Sequence, residues 1–171
     1  MSITNITPLW YAVHVMPRWE KKVNEALLGA GIEVYAPTQK KLRQWSDRKK
    51  WVEEPVIRSY VFVKINQKEY YTVLNTNGVL RFISFEGKPA PVREEHITIL
   101  RNLIEQNIEV EITNENFEPG DKVEIIRGPL KGLKGELIRH NSSKKVLIRL
   151  ENMYESFLIT ISPSLLIINN N

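Results

Sequence analysis

Residues 120–137 read GDKVEIIRGPLKGLKGEL, a run in which short β-forming segments alternate with glycines. Gly128 and Gly132 permit a tight loop between two strands, and Gly135 lets the next strand bend or approach its neighbour closely. Further short β segments follow, so we expect strands at 122–127, 134–140, 144–150 and 155–161. The apolar side chains expected to fill the resulting small barrel are Val123, Ile125, Leu130 and Leu137. A closed barrel suits so short a segment because closure removes the sheet edges.

The composition excludes several classes of site. The 171 residues include no cysteine, so disulfides, thiolate zinc sites, Fe–S clusters and a cysteine nucleophile are ruled out. The N-terminus has no basic leader, and no apolar run approaches the roughly 18 residues of a membrane span. We therefore expect a soluble cytoplasmic protein that does not use a membrane.

Positive charge is concentrated in the first part of the chain. Residues 1–107 hold 16 Lys and Arg against 11 Asp and Glu, whereas residues 108–171 hold 8 against 9. Between Gln39 and Lys50, six cationic side chains accompany the single acid Asp47. Such a cluster suits a polyanion, but a solvated loop that keeps the protein soluble has the same composition.

The order of periodic segments before residue 107 predicts a split βαβ, ferredoxin-like domain. We expect strands at Trp10–Met16, Glu33–Ala36, Tyr60–Ile65 and Val79–Phe85, a hairpin over 39–54, and helices near residues 18–30, at Lys68–Asn75 and at Arg93–Gln106. The fold class is α+β. The predicted domains are 1–107, a polar linker at 108–117, and the barrel at 118–171. The alternation of Val110 and Ile112 leaves open a strand within that linker.

No constellation of residues indicates catalysis. His14, His96 and His140 lie far apart in the sequence without the spacing of a metal site. The glycine-rich stretch before residue 136 lacks the order of a phosphate-binding loop and lies between strands. We therefore expect neither an enzyme nor a metal or cofactor site.

Two parts of the chain resemble known sequence families. Residues 120–137 resemble the KOW motif, with its loop at Gly128, Pro129, Gly132 and Gly135. That motif occurs both in ribosomal proteins and in transcription elongation factors, so a ribosome-associated RNA-binding protein stays open as the alternative. The segments LWYAVH (9–14), EKKV (20–23), YAP (35–37), SYVFV (59–63) and GVLRFI (78–83) resemble the N-terminal domain of the NusG family in order and spacing.

The NusG resemblance, which covers about residues 9 to 168, implies a monomeric elongation and antitermination factor. Its N-terminal domain would bind RNA polymerase through an apolar depression at His14, Ile57, Tyr60 and Leu100. Packing into the domain's own core is the alternative for Ile57 and Tyr60. The barrel would recruit Rho or a ribosomal small-subunit protein.

The same resemblance implies contact with the non-template DNA strand. Lys21 and Lys22 would contact phosphates. The residues that would contact bases are Tyr70, Tyr71, Thr72, Asn75 and Asn77. The alternative is that the two tyrosines are ordinary residues of an amphipathic helix.

One departure from the family pattern indicates a specialised role. NusG proteins usually carry Phe-Pro-Gly-Tyr before the central strand, whereas this chain has Ile57-Arg58-Ser59-Tyr60. The change resembles the specialised paralogues, RfaH-like proteins and UpxY antiterminators, and so favours an operon-specific factor.

Overall fold

The computed structural model describes residues 6–108, 110–113, 120–127, 131–140, 143–149, 156–159 and 166–168. The chain divides into two compact units, Met1–Glu94 and Glu95–Asn171. This division falls before the last long helix, whereas the sequence places the boundary after it, at residue 107. The predicted domain ranges therefore stay predictions, and each unit is described by itself.

The first unit consists mainly of β-strands with two helical segments. Its elements are β1 (Leu9–Val15), α1 (Glu20–Gly29), β2 (Glu33–Tyr35), β3 (Thr38–Gln44), β4 (Lys49–Pro55), β5 (Tyr60–Ile65), a 3₁₀ turn (Gln67–Glu69), α2 (Tyr70–Leu74), β6 (Val79–Phe82), β7 (Ser84–Phe85), β8 (Lys88–Pro89) and β9 (Pro91–Val92). The main sheet has the order β2-β5-β1-β6, and β9 also pairs with β1. All its pairings are antiparallel. The predicted ferredoxin-like order of strands and helices is confirmed.

The two faces of this sheet differ because successive side chains of a strand point to opposite sides. Tyr11 and Val13 of β1 lie opposite Val63 and Val61 of β5. These residues form one core with Val23 and Leu27 of α1 and with Tyr70 and Val73 of α2. The two helices therefore cover one face, as the apolar spacing of α1 predicts.

Two local signals end α1 and begin the next helical segment. After α1, Gly31 takes φ +77° while the Ile32 N–H donates to the Leu27 carbonyl at 3.0 Å, a glycine-terminated cap. Before the 3₁₀ turn, Asn66 Oδ1 accepts from the Lys68 N–H and Glu69 Oε2 accepts from the Asn66 N–H, both at 2.9 Å. This capping box explains why the predicted helix at Lys68–Asn75 starts as a 3₁₀ turn and continues as α2.

The predicted strand Val79–Phe85 is wrong in its last part. The strand β6 ends at Phe82, and β7 then pairs with β8 instead of extending the main sheet. Glu86 and Gly87, with φ +49° and +79°, make the two-residue turn between them. Positive φ at both central residues is the geometry of a type I′ hairpin.

The second unit contains a helix and one antiparallel sheet. Its elements are α3 (Glu94–Glu105, which begins at the last residue of the first unit), β10 (Val110–Thr113), β11 (Asp121–Ile125), β12 (Lys134–His140), β13 (Ser143–Arg149), β14 (Ser156–Ile159) and β15 (Leu166–Ile168). The sheet order is β10-β14-β13-β12-β11-β15. Strand β10 occupies part of the predicted linker, so of the two possibilities left open for Val110 and Ile112 the strand is the observed one. Strand β15 has no counterpart among the predicted strands.

Candidate functional site

The face of the main sheet opposite α1 and α2 is partly exposed at one end. His14 of β1 lies directly opposite Tyr60 of β5, and their ring centroids are 5.3 Å apart at an interplanar angle of 48°. Arg81 of β6 lies beside His14 on the other side and is exposed. Towards the other end of the same strands, Trp10, Ala12 and Phe62 are buried. The structure therefore brings His14 and Tyr60 together at the edge of an apolar region.

The loop that precedes Tyr60 is held by α1. Glu20, the first residue of α1, has a buried carboxylate whose Oε1 accepts the Ser59 N–H at 2.7 Å. The Ser59 carbonyl accepts from the Val15 N–H at 2.8 Å. A charge-assisted bond on one side and a strand bond on the other fix the backbone before Tyr60. The sequence interpretation did not single out Glu20, because its partner lies 39 residues away.

Ser59 adopts a backbone conformation that favours glycine, the residue usual at this position of the family pattern. Its φ is +61°, in the left-handed region where side chains other than glycine cost about 1–2 kcal/mol. The departure at Ile57-Arg58-Ser59-Tyr60 therefore alters the side chains of this loop while the backbone still adopts a conformation that suits glycine.

Two of the residues predicted to bind polymerase are not available at the surface. Ile57 and Leu100 have fully buried side chains. A buried side chain cannot contact a partner directly, so the structure favours packing as their role. Their place in a polymerase interface stays a prediction.

A second cluster joins the start of α1 to the turn between α2 and β6. The Lys22 ammonium lies 4.7 Å from the centroid of the Trp19 ring. Gly78 has φ +93°, and a Cβ there would lie 2.5 Å from Trp19 Cε3. The Met16 N–H donates to the Gly78 carbonyl at 2.8 Å. In the sequence Gly78 stands out only as the first residue of the stretch GVLRFI (78–83), yet in the structure it is the point where this turn meets Trp19 at the start of α1.

This cluster brings Lys22, beside Trp19, close to the turn after α2, which adjoins others of the predicted DNA-binding residues. Besides Lys22, those with exposed side chains are Lys21, Tyr71, Thr72, Asn75 and Asn77. The hydroxyl of Thr76 donates to the Thr72 carbonyl at 2.8 Å and so ties down the end of α2.

Tyr70 is an exception among these residues. Its ring stacks on Phe82 at 4.7 Å and 19°, and only 5% of the residue is exposed. Burial, with a smaller contribution from Tyr71, raises the pKa of its phenol. The structure therefore does not offer Tyr70 to a base, whereas its neighbour Tyr71 is 59% exposed. For Tyr70 the alternative, a residue of the helix's apolar face, is the one that fits.

The KOW-like segment is described in part. Gly132 has φ +90°, its N–H donates to the Ile125 carbonyl at 2.7 Å, and the Ile125 N–H donates to the Leu133 carbonyl at 2.9 Å. Gly135 pairs with Val123 within the sheet. Gly128 and Pro129, with Leu130, lie outside the described residues.

The interior of this sheet is close to the prediction. Val123 and Ile125 are buried as expected. Leu137 is only half-buried, and the buried residue is its neighbour Ile138. The register still places Leu137 on the same face as the buried Val123 and opposite the buried Val146, so the predicted face holds and Ile138 is buried on the other face.

Among the described residues, no group of three or more His, Asp or Glu side chains is placed to hold a metal ion. No helix within the described ranges has the length and hydrophobicity needed to cross a membrane.

Comparison with known proteins identifies one family. Residues 8–101 match the family NusG, described as "Transcription termination factor nusG". The chain is 26% identical over 147 residues to the transcription termination/antitermination protein NusG of Pseudomonas aeruginosa, covering 79% of this chain and 83% of that protein. It is 27% identical over 162 residues to the NusG protein of Staphylococcus aureus strain Mu50, covering 85% and 86%.

A solved structure is similar over nearly the whole chain. It is described as "Domain interaction in Thermotoga maritima NusG". The match has a TM-score of 0.53 and 25% sequence identity, and it covers 93% of this chain and 96% of the other. The similarity extends well beyond residues 8–101, so it includes the second unit.

Proposed function

This chain belongs to the NusG family of transcription termination and antitermination factors, and we propose that it binds RNA polymerase through the sheet face that carries His14 and Tyr60. The observation that carries the proposal is the pairing of these two rings at the exposed end of an otherwise buried apolar face. An aromatic anchor next to a buried region is typical of the residues that dominate an interface.

The geometry explains how such an anchor is prepared before binding. Tyr60 is fixed by its strand pairing and by the loop that Glu20 holds. A side chain that is already ordered loses little conformational freedom on binding, which favours affinity. Ile57 would contribute to this interface indirectly, because its side chain is buried in the loop that leads to Tyr60 and is not available to a partner.

The test is the affinity of the full chain for core RNA polymerase. Replacing Tyr60 by Ala should raise the dissociation constant about thirtyfold, which corresponds to the roughly 2 kcal/mol of a dominant interface residue. Phe85→Ala is the matched control, since Phe85 is an exposed aromatic on β7, away from this pair. Equal binding by the two variants would show that this sheet face is not part of the interface.

The proposal extends to the non-template DNA strand. Lys21 and Lys22 would contact phosphate, and Tyr71, Asn75 and Asn77 would reach bases from the turn that Gly78 packs against Trp19. Base contacts carry sequence preference and phosphate contacts do not. Lys22→Gln should therefore weaken binding to all sequences alike, whereas Asn77→Ala should change which sequence is preferred. A uniform loss for both variants would contradict this division.

The second unit would recruit a partner, and the family resemblance implies Rho or a ribosomal small-subunit protein. Binding of the full chain to each partner separately tests the choice. The specialised, operon-specific role rests on the loop Ile57–Tyr60. Sequencing of nascent transcripts with and without the protein tests that role, and equal effects on all genes would refute it.

The alternative function, a ribosome-associated RNA-binding KOW protein, has less support. The family match over residues 8–101 includes most of the first unit, which a ribosomal KOW protein does not need. Tight binding to ribosomes by the unsubstituted chain, with no measurable binding to core RNA polymerase, would favour this alternative.

A further inference from the structure

The hairpin of β3 and β4 is a separate element of the first unit. It forms its own two-stranded sheet, apart from the main one. The register places Leu42 opposite Trp51 and Gln44 opposite Lys49. The Trp45 N–H donates to the Arg48 carbonyl at 2.8 Å and closes the turn at the tip.

Its distal half exposes large apolar side chains. Trp51 is 65% exposed, Trp45 56% and Leu42 48%. Leu42 and Trp51 lie on the same face, because directly opposed residues of an antiparallel pair share a side of the ladder. Side chains of this size, gathered on a small element and open to water, are typical of a binding surface.

The charges of the hairpin separate along its length. Arg43, within the distal half, reaches back to Glu54 near the base in a two-pronged ion pair at 2.7 and 2.8 Å, and this pairing lowers the pKa of Glu54. At the tip, Lys49 and Lys50 are exposed and form no ion pair with another described residue. The contact between Arg48 and Asp47 is long, at 4.0 Å. Positive charge therefore remains uncompensated where the tryptophans are exposed.

We propose that the distal half of this hairpin, residues 42–51, is a binding site for single-stranded nucleic acid. Bases would stack on Trp45 and Trp51, while Lys49, on the same face as Trp51, would contact the phosphates between them. Lys50, on the opposite face, would add positive charge to the hairpin. Aromatic faces alternating with cations are the arrangement by which proteins bind single strands without sequence preference. The proposal goes beyond the polymerase-binding function, because none of these residues lies among those assigned to polymerase or to the turn after α2.

Two other polyanions, duplex nucleic acid and an anionic lipid surface, also fit the charge. A duplex buries its bases in the stack, so it would use the lysines and leave the tryptophans unused. An anionic lipid surface would accept both kinds of side chain. The exposed tryptophans therefore favour unpaired bases over duplex, and direct competition separates unpaired bases from lipid.

The experiment measures binding of the full chain to a short fluorescein-labelled oligothymidylate, to oligouridylate, and to a blunt duplex of the same length. We expect the single strands to bind more tightly than the duplex. Each of Trp45→Ala and Trp51→Ala should weaken single-strand binding about five- to hundredfold. Trp51→Phe, which keeps an aromatic face, should restore much of the loss. Phe85→Ala is the control for loss of an exposed aromatic elsewhere.

A spectroscopic measurement tests stacking separately from affinity. A base stacked on an indole quenches its fluorescence. Oligothymidylate should therefore quench the tryptophan fluorescence of the wild-type chain, and it should quench that of the double variant Trp45→Phe/Trp51→Phe much less. Tyr71→Ala should leave this quenching unchanged, which distinguishes the hairpin from the DNA contact proposed at the end of α2.

Three results would overturn the proposal. The first is unchanged oligothymidylate binding when both tryptophans are Ala and thermal unfolding shows the protein to be folded. The second is duplex binding as tight as single-strand binding that depends only on Lys49 and Lys50. The third is displacement of the oligonucleotide by vesicles of mixed phosphatidylcholine and phosphatidylserine.

Discussion

Replacing Gly78 by Ala should destabilise the first unit by about 2–5 kcal/mol. Two costs combine at this position. An alanine at φ +93° costs about 1–2 kcal/mol because its Cβ disfavours the left-handed region. The new Cβ would also lie 2.5 Å from Trp19 Cε3, and pushing a large side chain out of a packed position costs about 1–3 kcal/mol.

Gly31 provides a matched control within the same unit. Its φ is +77°, so Gly31→Ala carries a similar backbone cost, but no atom lies within 4 Å of the position of its Cβ. Gly31→Ala should therefore cost only about 1–2 kcal/mol. The difference between the two variants isolates the contact with the Trp19 ring.

Urea unfolding of the full chain measures both free energies, compared on the transition of the first unit. In a Trp19→Ala background the contact with the ring is gone and only Val23 Cγ2, at 3.0 Å, stays close, so the cost of Gly78→Ala should fall most of the way towards that of Gly31→Ala. A double-mutant cycle gives this coupling directly. If Gly78→Ala is no more costly than Gly31→Ala in the wild-type chain, the ring does not lie against the turn, and Lys22 and Asn77 are not held together as described.

Three further outcomes are expected. Ser59→Gly should raise the unfolding free energy by about 1 kcal/mol in urea, since it relieves a left-handed backbone; a lower value would mean that the hydroxyl makes a compensating contact. The Glu54 carboxyl should titrate below 4.5 by NMR and return towards that value in Arg43→Gln. Because the pKa is depressed in the folded state, the contribution of the pair to stability is complete above about pH 4.5 and is lost as the pH falls through the lowered pKa; an unchanged titration in Arg43→Gln would contradict this. Tyr70→Ala should cost about 3–5 kcal/mol, as for a buried aromatic, whereas Tyr71→Ala should stay within about 0.5 kcal/mol; similar values for both would contradict the stacking on Phe82.

Local periodicity predicted the elements whose burial follows from their own sequence. Val23 and Leu27 are one turn apart and face the sheet, as an amphipathic helix requires. The strand Tyr60–Ile65 was predicted with its observed bounds, because its β-branched and aromatic residues leave few other structures. These features depend on neighbours along the chain.

The features that sequence interpretation missed depend on distant partners. Tyr70 and Tyr71 have the same side chain, and only the position of Phe82 decides which of them is buried. Glu20 resembles any acidic residue at the start of a helix until Ser59 is placed beside it. Hydrogen bonds and ring contacts between remote segments leave no periodic signal, and so the candidate site was predicted less completely than the fold.

The position of β1 at the centre of its sheet has a consequence for synthesis of the chain. Residues 9–15 leave the ribosome about 50 residues before their main partner β5, residues 60–65. At about 5–20 residues per second, the aromatic and β-branched side chains of β1 wait on the order of seconds for a partner. The β3–β4 hairpin pairs only with itself and can form during that interval. A nascent chain arrested before residue 60 would thus carry a formed hairpin and an unpaired apolar strand. Unpaired strands of this kind promote aggregation, so early termination of translation should yield aggregating fragments of this fold.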